Sequence, residues 1–208
     1  MNTEIPNAEI CLSSDALAEM ALSTIKAAIG STKYQYLSGP ITGGRRFLDW
    51  HEAQGRELEG DDRRAARRAA VVQPNIDEVR SAADAERAEG RLTIEPGSFE
   101  AEHKLWQQPE FYSFWEKVIT RHAGQVRFLD GWEYSAGCTF EYLCAAKNAL
   151  PRLDATGADL PPARAIGLLD LAIADMGSRL RPEDARDKPI GDLRRDVARY
   201  RDEIAVLA

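Results

Sequence analysis

The stretch SAGCTFE, residues 135–141, sets a hydroxyl at the start of a helical pattern and one carboxylate six positions later, among small, aromatic and aliphatic side chains. At roughly 100° per residue, six residues turn through about 600°, which returns Glu141 to within about 120° of the face that carries Ser135. The two side chains could flank one ligand. Ser135 is also an ordinary N-cap, and the N–H groups it would cap are those that bind a phosphate or carboxylate when one is present. Glu141 has a plain alternative as a surface carboxylate in a salt bridge. A second stretch, YLSGPITGG (residues 36–44), carries three glycines and a proline, so few Cβ atoms separate its N–H groups from an anion or a sugar. The same composition also makes a tight strand-to-helix turn that binds nothing. It lacks both the Gly-Lys-Ser/Thr ending of a phosphate loop and a full GxGxxG, which argues against ATPase and hydride-transfer chemistry.

Both stretches need a frame that brings them together. KYQYLSG (33–39) alternates aromatic and polar residues before breaking into glycine, the pattern of a strand running into a loop; RLTIEP (91–96) and QVRFLDG (125–131) predict two more strands. PRLDATGADL (151–160) reads as a short strand and tight turn. Helical spacing predicts a helix over 13–29, one from an N-cap at Asn75 to a stop at Gly90, and one over 110–124 with Phe111, Phe114, Trp115, Val118 and Ile119 on its core face. Further helices follow directly behind Ser135, over 162–176, and over 190–207 with Ile190, Leu193, Val197, Tyr200, Ile204 and Leu207 on one stripe. The charged run 45–68 reads as solvated helix and turn. Strands alternating with helices imply an α/β, flavodoxin/Rossmann-like layer fold with a small, mainly parallel sheet of about four to five strands, flanked by helices and carrying extra N- and C-terminal helices. In such folds ligands sit at the C-terminal ends of the strands, where both unusual stretches belong. We expect one domain over 1–208: a helical extension (1–32), an α/β core (33–160) with a helical insertion (45–73), and C-terminal helices (161–208).

The bulk properties narrow the partners. With 27 basic against 34 acidic residues the net charge is −7, which lacks the basic footprint of a nucleic-acid polymer binder. No run approaches the roughly 18 apolar residues of a membrane span, and MNTEIPNAEI has no signal-peptide pattern, so the expectation is a cytoplasmic protein away from membranes. Cys11, Cys138 and Cys144 form no CxxC pair, and His51, His103 and His122 are widely separated, so neither a metal site nor a disulfide framework is expected.

YLSGPITGG, PNIDEVRSAADAERAEGRLTIEP and DGWEYSAGCTFEYLCAA together resemble the nucleoside 2-deoxyribosyltransferase-like superfamily, in particular its small DUF4406-type branch, which is similar to nucleotide 5′-monophosphate N-glycosidases. That branch typically shows a Tyr-hydrophobic-Ser/Ala-Gly-Pro-hydrophobic-Thr-Gly loop, an Asn-led helix running to Gly and a strand ending in Pro, and a Gly-Trp-x-x-Ser-x-Gly loop followed by Glu. The resemblance covers residues 34 to about 147, interrupted by the long insertion. It implies that Glu141 is the nucleophile that attacks the anomeric carbon of a nucleoside or nucleotide, giving a glycosyl-enzyme and retention of configuration. Serine in place of aspartate at Ser135 is typical of the nucleotide hydrolases, and an aspartate there would repel a phosphate that a serine and a helix start would hold.

By the same resemblance Tyr36, Ser38, Gly39, Pro40, Ile41, Thr42, Gly43 and Gly44 line the sugar and base side, with Ser135 and Gly137 at the helix start. Arg45 is either a phosphate partner or a solvated charge. Trp132 is either an apolar wall or an ordinary core tryptophan. An aspartate that assists the leaving base is usual at a position that aligns near Gly124 here; Asp130 is the candidate substitute, as general acid or sugar ligand, or a plain turn cap. No cofactor is implied. The resemblance also implies a homo-oligomer, dimer or larger, because a neighbouring subunit often completes the site. The alternatives to an N-glycosidic hydrolase or transferase are a non-catalytic nucleotide-binding sensor and an assembly component whose extra helices make contacts. Proximity of Glu141 to Ser38 and Asp130 favours the enzyme.

Overall fold

Tyr34–Ser38 (β1) has all five residues buried, as a strand covered on both faces must. In a computed structural model, which describes residues 14–97, 108–186 and 188–208, β1 is an inner strand of a four-stranded parallel sheet in the order β2-β1-β3-β4, where β2 is Thr93–Ile94, β3 is Ala123–Phe128 and β4 is Arg152–Leu153. The register sets Tyr36 beside Ile94 and Ser38 beside Phe128. The α/β layer fold with a parallel sheet is thus the observed one. Its connection order reverses between β1 and β3, and this switch point is where open parallel sheets form a crevice.

Alternation along β1 divides its partners between two layers. Tyr34, whose hydroxyl donates to the Val118 carbonyl at 2.6 Å, faces the helix Gln108–His122. On the opposite face Gln35 donates to Glu86 at 2.9 Å and accepts from Gln125 at 2.7 Å. Arg91 and Arg127 also bond Glu86, so both oxygens of this buried carboxylate have partners beside the central strand.

In chain order the helices are α1 (Ser14–Ile29), α2 (Arg45–Trp50), α3 (Gly60–Arg67), α4 (Gln73–Ala88), α5 (Gln108–His122), α6 (Ala136–Lys147), α7 (Pro162–Arg179) and α8 (Lys188–Val206). The expected α5 stripe is present: Phe114, Trp115, Val118 and Ile119 are buried, with Phe111 partly so. On α8, Leu193, Val197, Tyr200 and Ile204 are buried while Leu207 is exposed; the side chain of Ile190 lies outside the described residues, as do residues 1–13 and His103. Among the described residues no helix is long and apolar enough to cross a membrane.

The insertion departs from its sequence reading in two ways. It is only partly solvated: α3 buries nothing, but Phe47, Leu48, Trp50 and His51 join the core. Asn75 is not an N-cap, because α3 runs into α4 through a π-helical turn, Arg68–Val72. Pro74 accounts for the turn: it has no N–H to donate and its ring crowds the carbonyl four residues back, so the helix widens for one turn instead of ending.

A buried ionic cluster fastens this insertion to the C-terminal helices. Asp184 contacts His51 Nε2 at 2.9 Å and Arg56 Nη2 at 2.9 Å, and accepts the Arg181 N–H at 2.8 Å. Burial pushes the Asp184 carboxyl up, but Arg56, the Arg181 N–H and His51 together hold it well below its usual range. A depressed carboxyl contributes stability that is complete above its unfolded value of about 3.9 and is lost as pH falls towards the folded value. Asp184→Asn is expected to lose about 3–5 kcal/mol in urea denaturation at neutral pH, with the gap to wild type narrowing in acid.

Candidate functional site

The site begins where β1 ends. At Gly39 the chain threads between α4 and the loop behind β3: a Cβ there would lie 2.6 Å from Val79 Cγ2 and 3.0 Å from Leu129 Cδ1, so only glycine fits. The loop 39–44 is then held from two directions. Asn75 Nδ2 donates to the carbonyls of Ile41 (2.9 Å) and Gly43 (3.2 Å), and the Gly44 N–H donates to the Tyr134 carbonyl (3.2 Å). Leu129 N–H donates to Ser38 O at 2.8 Å, so the two loops at the switch point are stitched together. Behind β3 the chain turns through Gly131, in the left-handed region at φ 81°, and the single turn Trp132–Tyr134 before α6 opens at Ser135, whose Oγ accepts the Cys138 N–H at 3.4 Å.

Glu141 is not a surface carboxylate. It is 6 % exposed and lies against the face of β1 that α5 and α6 cover. Its Oε1 accepts the Tyr36 hydroxyl at 2.6 Å and its Oε2 accepts the Ser38 hydroxyl at 2.5 Å. Tyr36 and Ser38 are two apart on one strand, so their side chains share a face; the carboxylate spans the pair. Two donors aimed at two oxygens fix the plane of the carboxylate, as a group that must present one oxygen in a defined direction requires.

Two clefts flank these loops, and they divide the sequence-predicted residues. One, of about 470 Å³, lies at the start of α6, where Thr42, Gly43, Ser135 and Gly137 meet Arg67 of α3 and Asp192 and Asp196 of α8. The other, of about 560 Å³, opens on the far side of loop 39–44 and takes Pro40, Gly44, Arg45, Asp130 and Trp132. Ile41 borders a smaller groove of about 290 Å³ with Thr42, Arg64, Arg67 and Arg68. Glu141 lines none of these cavities, although its helix starts directly behind Ser135. Asp130 is exposed and lines the cleft that Ser135 does not. Arg45 is engaged with Tyr134, donating to its hydroxyl at 3.3 Å with the guanidinium 4.8 Å from the ring centre. Trp132 is 3 % exposed and stacks on Tyr142 at 5.2 Å, so it is a core tryptophan whose edge reaches the cleft.

Gly124 belongs to the other end of the molecule. It is the second residue of β3, and a Cβ there would come 2.9 Å from Lys33 Cβ, ahead of β1. A side chain at 124 therefore sits at the N-terminal edge of the sheet, four residues or about 13 Å along the strand from the loops.

Three polar residues that the sequence reading did not single out stand at the loop edge. Glu95, just beyond β2, is 2 % exposed, with Oε2 3.0 Å from where a Gly97 Cβ would be. Arg67 is one of four arginines in the run RRAARR, with nothing local to mark it. Glu133 lines the larger cleft inside the motif already quoted, and burial pushes its carboxyl above the usual value; Asp130 adds to this, against the lowering influence of Arg45. Among the described residues no three metal-type ligands gather in one place. In comparisons with known proteins, no family model matches this chain, and no curated protein or solved structure matches it significantly.

Ser38→Ala removes one of the two donors to a buried carboxylate and is expected to cost about 1–3 kcal/mol in chemical denaturation. Glu133 gives the opposite pH behaviour to Asp184. Its raised carboxyl makes the folded state weaken as pH climbs from the ordinary glutamate value of about 4.3 through the folded value. Glu133→Gln is expected to melt at a higher temperature than wild type at neutral pH, with the difference vanishing in acid.

Proposed function

We propose that this protein cleaves or transfers the N-glycosidic bond of a nucleoside 5′-monophosphate or nucleoside, with Glu141 as nucleophile. The observation that carries the reading is the carboxylate held by Tyr36 and Ser38 at the C-terminal end of β1, on the helix whose first residues line a cleft with Thr42 and Gly43. One oxygen of Glu141 releases its hydroxyl donor and attacks the anomeric carbon. A carbon–oxygen bond forms as the carbon–nitrogen bond breaks; the base departs with that electron pair and gains a proton. Water then attacks the same carbon and loses a proton to solvent, offsetting the one the base gained, the carboxylate leaves, and a free sugar or sugar phosphate results with retained configuration; a second base in place of water gives transfer. Asp130 lines the other cleft, so the reading routes no proton through it.

A non-catalytic nucleotide sensor is the second reading, and one observation favours it: Glu141 is nearly covered and both of its oxygens are bonded. Incubation with ribo- and deoxyribonucleosides and their 5′-monophosphates, followed by chromatography of the products, separates the two. The glycosidic reading expects release of free base by wild type, falling by about 10³-fold or more in Glu141→Gln, as for loss of a catalytic nucleophile. Equal ligand binding by wild type and variant with no base release would establish the sensor.

A further inference from the structure

Three of the arginines in α3 and the turn behind it share one side, while Arg63 lies over Trp50. Arg64, Arg67 and Arg68 are spaced i, i+3, i+4, and all three line the groove beside Ile41 and Thr42. Arg67 and Thr42 line the larger cavity at the start of α6 as well, so the two spaces adjoin at this pair. Arg67 is held in place: its Nη2 donates to the Thr42 carbonyl at 2.6 Å, and its guanidinium lies 4.6 Å from the centre of the Phe47 ring. A guanidinium carries five N–H donors in a planar fork that matches phosphate oxygens, so the bond to Thr42 fixes its position while the group keeps its charge. Asp192 and Asp196 of α8 also line the larger cavity, and both pair with Arg195 of the same helix. Basic side chains of the insertion thus border both spaces, among apolar neighbours such as Phe47, Ile41 and Ile76.

We infer that Arg67, supported by Arg64 and Arg68, is the phosphate-binding element of this cavity, and that a nucleotide lies in it with its phosphate against α3 and its sugar hydroxyls towards Asp192 and Asp196. This rests on reading the cavity as a nucleotide site. It moves the phosphate contact away from Arg45, which stacks on Tyr134 beside the other cleft. It also gives the insertion a purpose beyond packing, since α3 buries no side chain and still reaches over the loop that ends β1.

The test is calorimetric binding of ribose 5-phosphate and 2-deoxyribose 5-phosphate, each against its unphosphorylated sugar, to the full chain at low ionic strength. Wild type is expected to bind the phosphorylated sugars and to prefer them over the free sugars. Arg67→Met is expected to weaken that binding by about tenfold or more, Arg67→Lys to restore part of it, and the exposed double change Arg64→Met with Arg68→Met to weaken it several-fold without touching the Phe47 contact. Lys147→Met, a charge loss at the opposite end of α6, is expected to leave it unchanged. Unaltered affinity in both Arg67→Met and the double variant overturns the inference, as does failure of wild type to bind either sugar phosphate. Arg67-dependent binding without base release from any nucleotide removes the glycosidic reading and leaves this anion site. Base release from free nucleosides, indifferent to Arg67→Met, does the reverse.

Discussion

A carboxylate buried between a central strand and a helix is tolerable only if its oxygens are bonded, and this requirement organises the middle of the molecule. Glu141 meets it with the two hydroxyls of β1 that face α6, Tyr36 and Ser38. The helix cannot slide or rotate against the strand without exposing an unpaired oxygen, so the register between β1 and α6 is set by polar as well as apolar contacts. The position of the α6 start follows, and with it Ser135 and the loop from Gly131. Tyr36 also packs on Trp115, with ring centres 5.7 Å apart, which carries the constraint into α5 and the main core. On the opposite face Glu86 occupies a comparable place, fixed by Gln35, Arg91 and Arg127.

The insertion is built into the same scheme by a different route. Its apolar residues reach the core through Phe47, Leu48 and Trp50, and its far end merges with α4 through the π-helical turn ahead of Pro74. That merger turns Asn75 from a helix start into a clamp on the carbonyls of Ile41 and Gly43. The Asp184 cluster joins the beginning of the insertion to the segment between α7 and α8. Loop 39–44 is thus determined from α4, from Tyr134 and from Arg67 of α3, all outside its own sequence. A glycine-rich loop with so many external anchors keeps its backbone groups in place without side chains to fill the space beside them, which suits a surface that a ligand approaches closely.

The two clefts on either side of that loop differ in kind. The larger one combines Arg45, Arg46 and Arg164 with Asp130, Glu133 and Asp154, charges of both signs, most of them already committed to pairs such as Arg164 with Asp154 and Arg46 with Glu78. The smaller one holds fewer: Arg67 of α3, bonded to the Thr42 carbonyl, and Asp192 and Asp196 of α8, both paired with Arg195 of their own helix.

Sequence alone determined the layer class, the parallel arrangement, the core stripe of α5 and the meeting of the two glycine-bearing loops at one edge of the sheet, because periodicity and turn chemistry are local and act over a few residues. The pairing of Ser38 with Glu141 was legible as an expectation from the resemblance, which set both on the sugar side of one pocket. What the local pattern could not carry were distances across the fold. Asp130 and Arg45 are neighbours of the right motifs and nonetheless face the other cleft, because a loop at a switch point has two sides and the pattern of one strand does not choose between them. Gly124 aligned with a position at the head of the strand and lies there, at the end of β3 away from the loops, while β3 begins at Ala123, two residues ahead of the strand that alternation predicted. Asn75 became a clamp because a helix can absorb a proline when packing on both sides holds it continuous, and Arg67, without a local mark of its own, gained its place from the same continuity. Only the tertiary structure decided these, because each depends on which residues far apart in the chain are forced into contact when the apolar faces close.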